Sequence, residues 1–162
     1  MSDRTLLLAM APIEAEQLSR LLTDFVALLD ADAGTDASDP AVDRLTPSPY
    51  PEDHDAARDF RAGTRADLLD RRRSDAGAVL TALRGLHPSA DDDAFAERDL
   101  RVPSAEIDAW LRTLTSVRLV LASRLGITDD DDHRIPDQGL QVYEWIGYRL
   151  ELLVQAADEA GI

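Results

Sequence analysis

Residues Ile107 to Gly126, IDAWLRTLTSVRLVLASRLG, decide the fold. Apolar side chains at Ile107, Trp110, Leu111, Leu114, Val117, Leu119, Val120, Leu121 and Leu125 recur at helical steps and cover most of the helix circumference. The polar stripe through Asp108, Arg112 and Thr115 is interrupted at Leu119. A helix apolar nearly all round belongs at the centre of a bundle, because no single face can be left to water. Gly126 ends it, as the residue that enters the left-handed conformation without a steric penalty.

Working outward, Leu100 and Val102 flank Arg101 in a minimal strand, and Pro103 with Ser104 opens the central helix. Arg4 to Met10 repeats that pattern: Leu6, Leu7 and Leu8 read as a short strand, followed by Pro12 at a helix start, where its missing N–H costs nothing. The two strands are expected to pair as a ribbon. Leu18, Leu21, Leu22, Phe25 and Leu29 form the buried stripe of that first helix, which should stop near Asp30.

Residues 31–53 form a Pro- and Asp-rich connector, pinned to the body by Val42, Leu45 and Tyr50 through a short helical turn. A second helical region runs from about Glu52 to Leu86. One face carries Ala57, Phe60, Thr64 and Leu68, the next Ala76, Val79, Leu80 and Leu83, with a bend expected at Ser74. The last helix spans Gly139 to Ala157, with Tyr143, Ile146, Gly147, Leu150, Val154 and Ala157 inward. The fold expected is mainly α: a helical bundle with a two-stranded ribbon, built as one domain over residues 1–162.

The chain carries a formal charge of −15, from 17 basic and 32 acidic residues. Every basic residue is Arg, and Lys and Asn are absent, as a GC-rich coding bias would produce. Such acidity opposes non-specific attraction to DNA or anionic lipid, so contact with either would have to be local. No run of apolar residues reaches the length of a membrane span, and no secretory signal stands at Met1 to Met10, so a cytoplasmic protein is expected. Without cysteine there is no disulfide, zinc-thiolate site or thiol nucleophile.

Catalytic motifs are missing. Asp129 to Asp132 begin like a calcium loop, but Arg134 stands at the position that needs Gly and Leu140 at the one that needs Glu. Asp30, Asp32 and Gly34 fail in the same way at Thr35 and Ala41. His54, His87 and His133 stand apart, and no G-x-S-x-G elbow or phosphate loop exists. Neither cofactor nor metal is expected, and the chain does not read as an enzyme.

The candidate site is basic. Arg58, Arg61, Arg65, Arg71, Arg72 and Arg73 stand against Asp59, Asp67 and Asp70, a local net of +3 in an acidic chain. Arg58, Arg61 and Arg65 fall at i, i+3 and i+7, on one face of a regular helix. They read either as a docking surface for a protein partner or nucleic acid, or as a face whose guanidiniums pair with neighbouring aspartates. Trp110 and Trp145 read as core.

Three stretches resemble a known family: WLRTLTSVRLVLASRLGITDDDD (Trp110–Asp132), LTPSPYPEDHDAARDFRAGTRADLL (Leu45–Leu69) and VYEWIGYRLELLVQAA (Val142–Ala157). They are similar to the actinobacterial oxidative-stress-responsive regulators, long catalogued as a domain of unknown function. The resemblance implies a cytoplasmic regulator of redox-responsive gene expression acting with an alternative sigma factor, with an adaptor linked to Clp-dependent protein turnover as the alternative. It brings no catalytic residues. A disulfide switch of the kind proposed in that family cannot operate here, which leaves Met10 as the formal site of oxidation.

Overall fold

The computed structural model describes residues 4–34, 39–86, 90–91, 93–127 and 138–162. Strand β1 (Thr5–Met10) pairs antiparallel with β2 (Arg98–Pro103), with Leu6 opposite Val102 and Leu8 opposite Leu100. Leu6, Met10, Leu100 and Val102 turn inward. The expected ribbon is present, longer on the β2 side than the three residues anticipated.

Helix α1 (Pro12–Ala33) starts at Pro12, with the Glu14 carboxylate accepting the Ala11 N–H at 3.0 Å. That supplies an acceptor to one of the donors a helix start leaves open. The helix runs past Asp30, and Asp32 near its end is buried. A short helix α2 (Pro40–Asp43) sits inside the connector and is capped by the Asp39 side chain, which accepts the Ala41 N–H at 2.8 Å. Val42 and Leu45 are buried as expected; Tyr50 is half exposed and does not pin the segment.

Helix α3 (His54–Phe60), a π-helical turn (Arg61–Arg65), α4 (Ala66–Leu83) and a tight final turn (Arg84–Leu86) follow without a break. The irregularity therefore lies at Arg61–Arg65, and Ser74 is within a regular helix. Leu69, Ala76, Val79 and Leu83 form the buried stripe; Ala57 and Phe60 are half-buried on the expected face, but Thr64 is exposed and Leu68 only half-buried, so the reading slips by one residue from the π-turn onward.

Helix α5 (Ile107–Leu125) is the centre of the bundle and packs on α1, α2, α4 and α6. Trp110 is 1% exposed, while Leu111, Leu119, Val120 and Leu121 pack at its margins. Gly126 takes φ 69°, and its N–H and that of Ile127 close on Ser123 and Ala122. The buried Ile127 then packs with Ala122 and Tyr143, so the stop signal also seals one end of the core. Gly126→Ala is expected to cost about 1 kcal/mol, since a Cβ opposes the left-handed backbone. Thermal denaturation of that variant beside Gly85→Ala, at an open position of ordinary φ, measures it.

Helix α6 (Gln138–Ala160) buries Tyr143, Ile146, Arg149, Leu153 and Ala157. Val154, expected inside, is 45% exposed, and Leu153 takes its place. Gly147 does lie on the packed side. A Cβ there would come within 3.1 Å of the Arg118 guanidinium, which rests over the Tyr143 ring at 4.3 Å. No described helix is long and apolar enough to cross a membrane.

Candidate partner-binding surface

The π-turn separates the candidate arginines into different roles. In an unbroken α-helix Arg58, Arg61 and Arg65 would share a face. The wider turn changes that spacing and brings Arg65 inward, where Nη1 donates to Asp32 at 2.8 Å and Nη2 to Asp43 at 3.1 Å. The Asp32 side chain is 0% exposed, and it also accepts the Asp39 N–H at 2.8 Å. Three elements thus meet at one carboxylate: the end of α1, the cap of α2 and the π-turn. Asp39 in turn pairs with Arg124 at 2.7 Å, and that guanidinium holds the Asp39 carboxyl below its ordinary pKa.

Arg73 is similarly occupied, with Nη2 on Asp30 and Nη1 on Asp70, each at 2.7 Å. Both arginines compensate carboxylates at the negative end of α1, whose last turn holds no basic residue of its own. Arg61, Arg65 and Arg73 line one cleft of about 220 Å³, with Asp32, Asp70 and the buried Leu69. Arg58 is exposed one turn before it. Arg71 and Arg72 do not line it, because successive helical residues point about 100° apart. Among the described residues, Arg58, Arg61, Arg71 and Arg72 form no ion pair. The six-residue cluster therefore divides: Arg65 and Arg73 serve the fold, and four guanidiniums are available, of which Arg58 and Arg61 stand by the cleft.

A second polar centre, around Arg149, was not anticipated. Arg149, 9% exposed, donates through Nη1 to the Ala9 carbonyl at 2.7 Å and pairs through Nη2 with Glu14. Trp145, expected in the core, is half-buried and donates its indole N–H to Glu14 at 3.2 Å. Burial alone would raise the Glu14 pKa, but the hydrogen bonds from Arg149, Ala11 and Trp145, with the Arg149 charge, outweigh it and hold the group below 4.5. The signal for this centre was present: Arg149 occupies an inward position between Ile146 and Leu153, where a charged residue needs a buried partner.

Of the remaining candidates, His54 is exposed at the start of α3; His87, His133 and Asp129 to Asp132 lie outside the described residues. Among the described residues, no group of three or more His, Asp or Glu side chains could hold a metal ion. Met10 is 2% exposed, so its sulfur is shielded from a dissolved oxidant and the formal oxidation site loses its footing.

These features define a mainly α protein with a short two-stranded ribbon packed on its core and ion pairs tying its helices together. Residues 1–157 match the family described as "Domain of unknown function (DUF2017)", and the chain belongs to that family. No curated protein and no solved structure matches it.

Proposed function

We propose that this chain is a non-enzymatic, cytoplasmic regulator of the actinobacterial oxidative-stress-responsive kind, acting by binding a protein partner such as an alternative sigma factor. The observation that carries the reading is the pair Arg58 and Arg61, exposed beside a cleft at a π-turn and without an ion pair among the described residues. Such turns recur at functional positions, and an arginine fork left without an internal carboxylate suits one supplied from outside. The redox response of such a protein would come from its partner or its expression, since this chain has no thiol.

The test is equilibrium binding of the purified chain to the alternative sigma factors of its source organism, with promoter DNA as a separate arm. Arg58→Glu/Arg61→Glu is expected to weaken the protein complex about tenfold, or ~1.4 kcal/mol. Arg71→Glu/Arg72→Glu should change it much less. Equal affinity for wild type and the first double variant would end the reading. A second reading, an adaptor in protein turnover, draws on a different feature. An open apolar groove of about 280 Å³ lies between α1 and α5, floored by Phe25, Leu28, Val117 and Leu121. Capture of Clp components that survives both charge reversals would favour it.

A further inference from the structure

We propose that Thr64, in the π-turn, is a phosphorylation site for a serine/threonine protein kinase that reads arginine three residues before the acceptor. Sequence alone nominates five hydroxyls with that spacing: Thr23 after Arg20, Thr64 after Arg61, Ser74 after Arg71, Ser104 after Arg101 and Thr115 after Arg112. Ser74, preceded by Arg71, Arg72 and Arg73, has the most basic flank. Folding selects among them, because a kinase cleft takes its acceptor segment extended and a helical acceptor must first unwind. Thr23 lies beside buried Leu22 and Phe25, Ser74 between Leu69 and Ala76, Ser104 between Val102 and Ile107, and Thr115 beside Leu114 and Val117. Unwinding at any of these four drags core side chains into water, so their exposure approaches global unfolding. Thr64 is exposed, and no residue from Pro47 to Leu68 is buried. What opening there must release is the Arg65 fork on Asp32 and Asp43.

The transfer joins the Thr64 hydroxyl oxygen to the γ-phosphorus of ATP and breaks the bond from that phosphorus to the β–γ bridging oxygen. ADP leaves, and the hydroxyl proton passes to the base of the kinase. The product carries about −1.5 to −2 charge at pH 7. It stands one residue from Arg65 and three from Arg61, whose guanidinium forms no ion pair among the described residues. An arginine fork matches phosphate oxygens closely, so Arg61 is expected to engage the new group. The modification does not rest on the docking reading above. Where that reading holds, the phosphate takes up the fork that an external carboxylate would use, and the mark switches docking off.

The full chain is incubated with ATP, Mg²⁺ and a purified, constitutively active serine/threonine kinase selective for arginine at that spacing, and its phosphopeptides are mapped by mass spectrometry. Thr64 should be labelled first, ahead of Ser74 with its richer flank. Thr64→Ser keeps the label, Thr64→Val removes it, and Arg61→Ala lowers kcat/KM about tenfold. Asp43, 33% exposed, holds one arm of the Arg65 fork. Asp43→Asn should therefore raise the Thr64 rate roughly two- to fivefold, the range of an exposed ion pair, and leave the other four hydroxyls as they were. Labelling first at Thr23, Ser74, Ser104 or Thr115 overturns the proposal. So does an unlabelled chain beside a peptide substrate labelled in the same tube, or an unchanged Thr64 rate in Asp43→Asn. Hydrogen exchange of the wild type reads the opening without any variant. Amides of residues 54–63 should exchange on the order of a hundredfold faster than those of residues 69–83. Equal rates would leave a kinase no local opening to use, and would refute the site.

Discussion

Arg65→Ala should lower stability by about 3–5 kcal/mol in urea unfolding, while Arg58→Ala and Arg61→Ala stay within about 0.5 kcal/mol of wild type. The difference follows from what each side chain faces. Arg58 and Arg61 meet water, so truncation removes little. Arg65 is the cation beside Asp32, whose side chain is 0% exposed and cannot recover hydration when the guanidinium goes. The Asp39 N–H would still donate to Asp32, but a neutral amide does not replace the charge of the guanidinium. Asp43 is 33% exposed and can turn to solvent, so most of the loss belongs to Asp32. Arg65→Lys should recover only part of it, because one ammonium cannot span two carboxylates as the arginine fork does. Equal urea midpoints for Arg65→Ala and Arg61→Ala would refute this division of roles.

The distinction matters for any search for partners. Typical domains are stable by only about 5–15 kcal/mol, so removing all six arginines together would confuse unfolding with lost docking. Arg65 and Arg73 should stay in place, and the binding comparison belongs to Arg58 and Arg61. Their charge acts over a short range, since physiological salt screens exposed charges beyond about 8 Å. The net charge of −15 on the whole chain then disfavours a long acidic partner surface and suits a compact contact at the cleft.

Much of the fold was legible because periodic apolar patterns report burial directly. The Ile107–Leu125 helix, the pairing of the strand at Leu6–Leu8 with that at Leu100–Val102, and the Val42–Leu45 anchor all rest on that signal, and the Gly126 stop on glycine's backbone freedom. Where a local pattern competed with a distant partner, the reading failed. The helix start at Ser74 is a plausible cap that the chain does not use, because the apolar stripe Leu69–Ala76–Val79–Leu83 runs through it and packs on α1 and α5. The π-turn has no sequence period of its own; it is visible only once Arg65 is seen reaching Asp32, 33 residues away. Val154 and Leu153 differ by one step around α6, and apolarity alone does not choose between neighbours. Of the candidate site, the arginine cluster was legible as charge, but its split into paired and unpaired members depends on aspartates brought up by folding.

Arg149→Met is the second large effect, expected to cost about 2–4 kcal/mol at neutral pH, with a pH dependence that identifies the cause. Methionine keeps the length of the buried stem, so the loss is mainly polar: the Ala9 carbonyl and Glu14 each lose a donor. Glu14 is 27% exposed, which moderates its share. In wild type its pKa is depressed below 4.5. The associated stability is present above that unfolded value and is lost as pH falls through the lower folded one. Without Arg149 the desolvation that already opposes ionisation has less against it, so the Glu14 pKa rises and protonation relieves part of the buried charge. The stability gap between the two proteins should therefore be widest near neutrality and narrow toward about pH 4. Urea midpoints across that range, followed by Trp145 fluorescence beside Glu14, measure it. Glu14→Gln provides the companion test: its single amide oxygen can accept from Ala11 or from Trp145 but not from both, which bond different carboxylate oxygens in wild type, and its acid limb should flatten. A gap between Arg149→Met and wild type that stays constant with pH would mean that lost packing, and not the Glu14 charge, sets the cost.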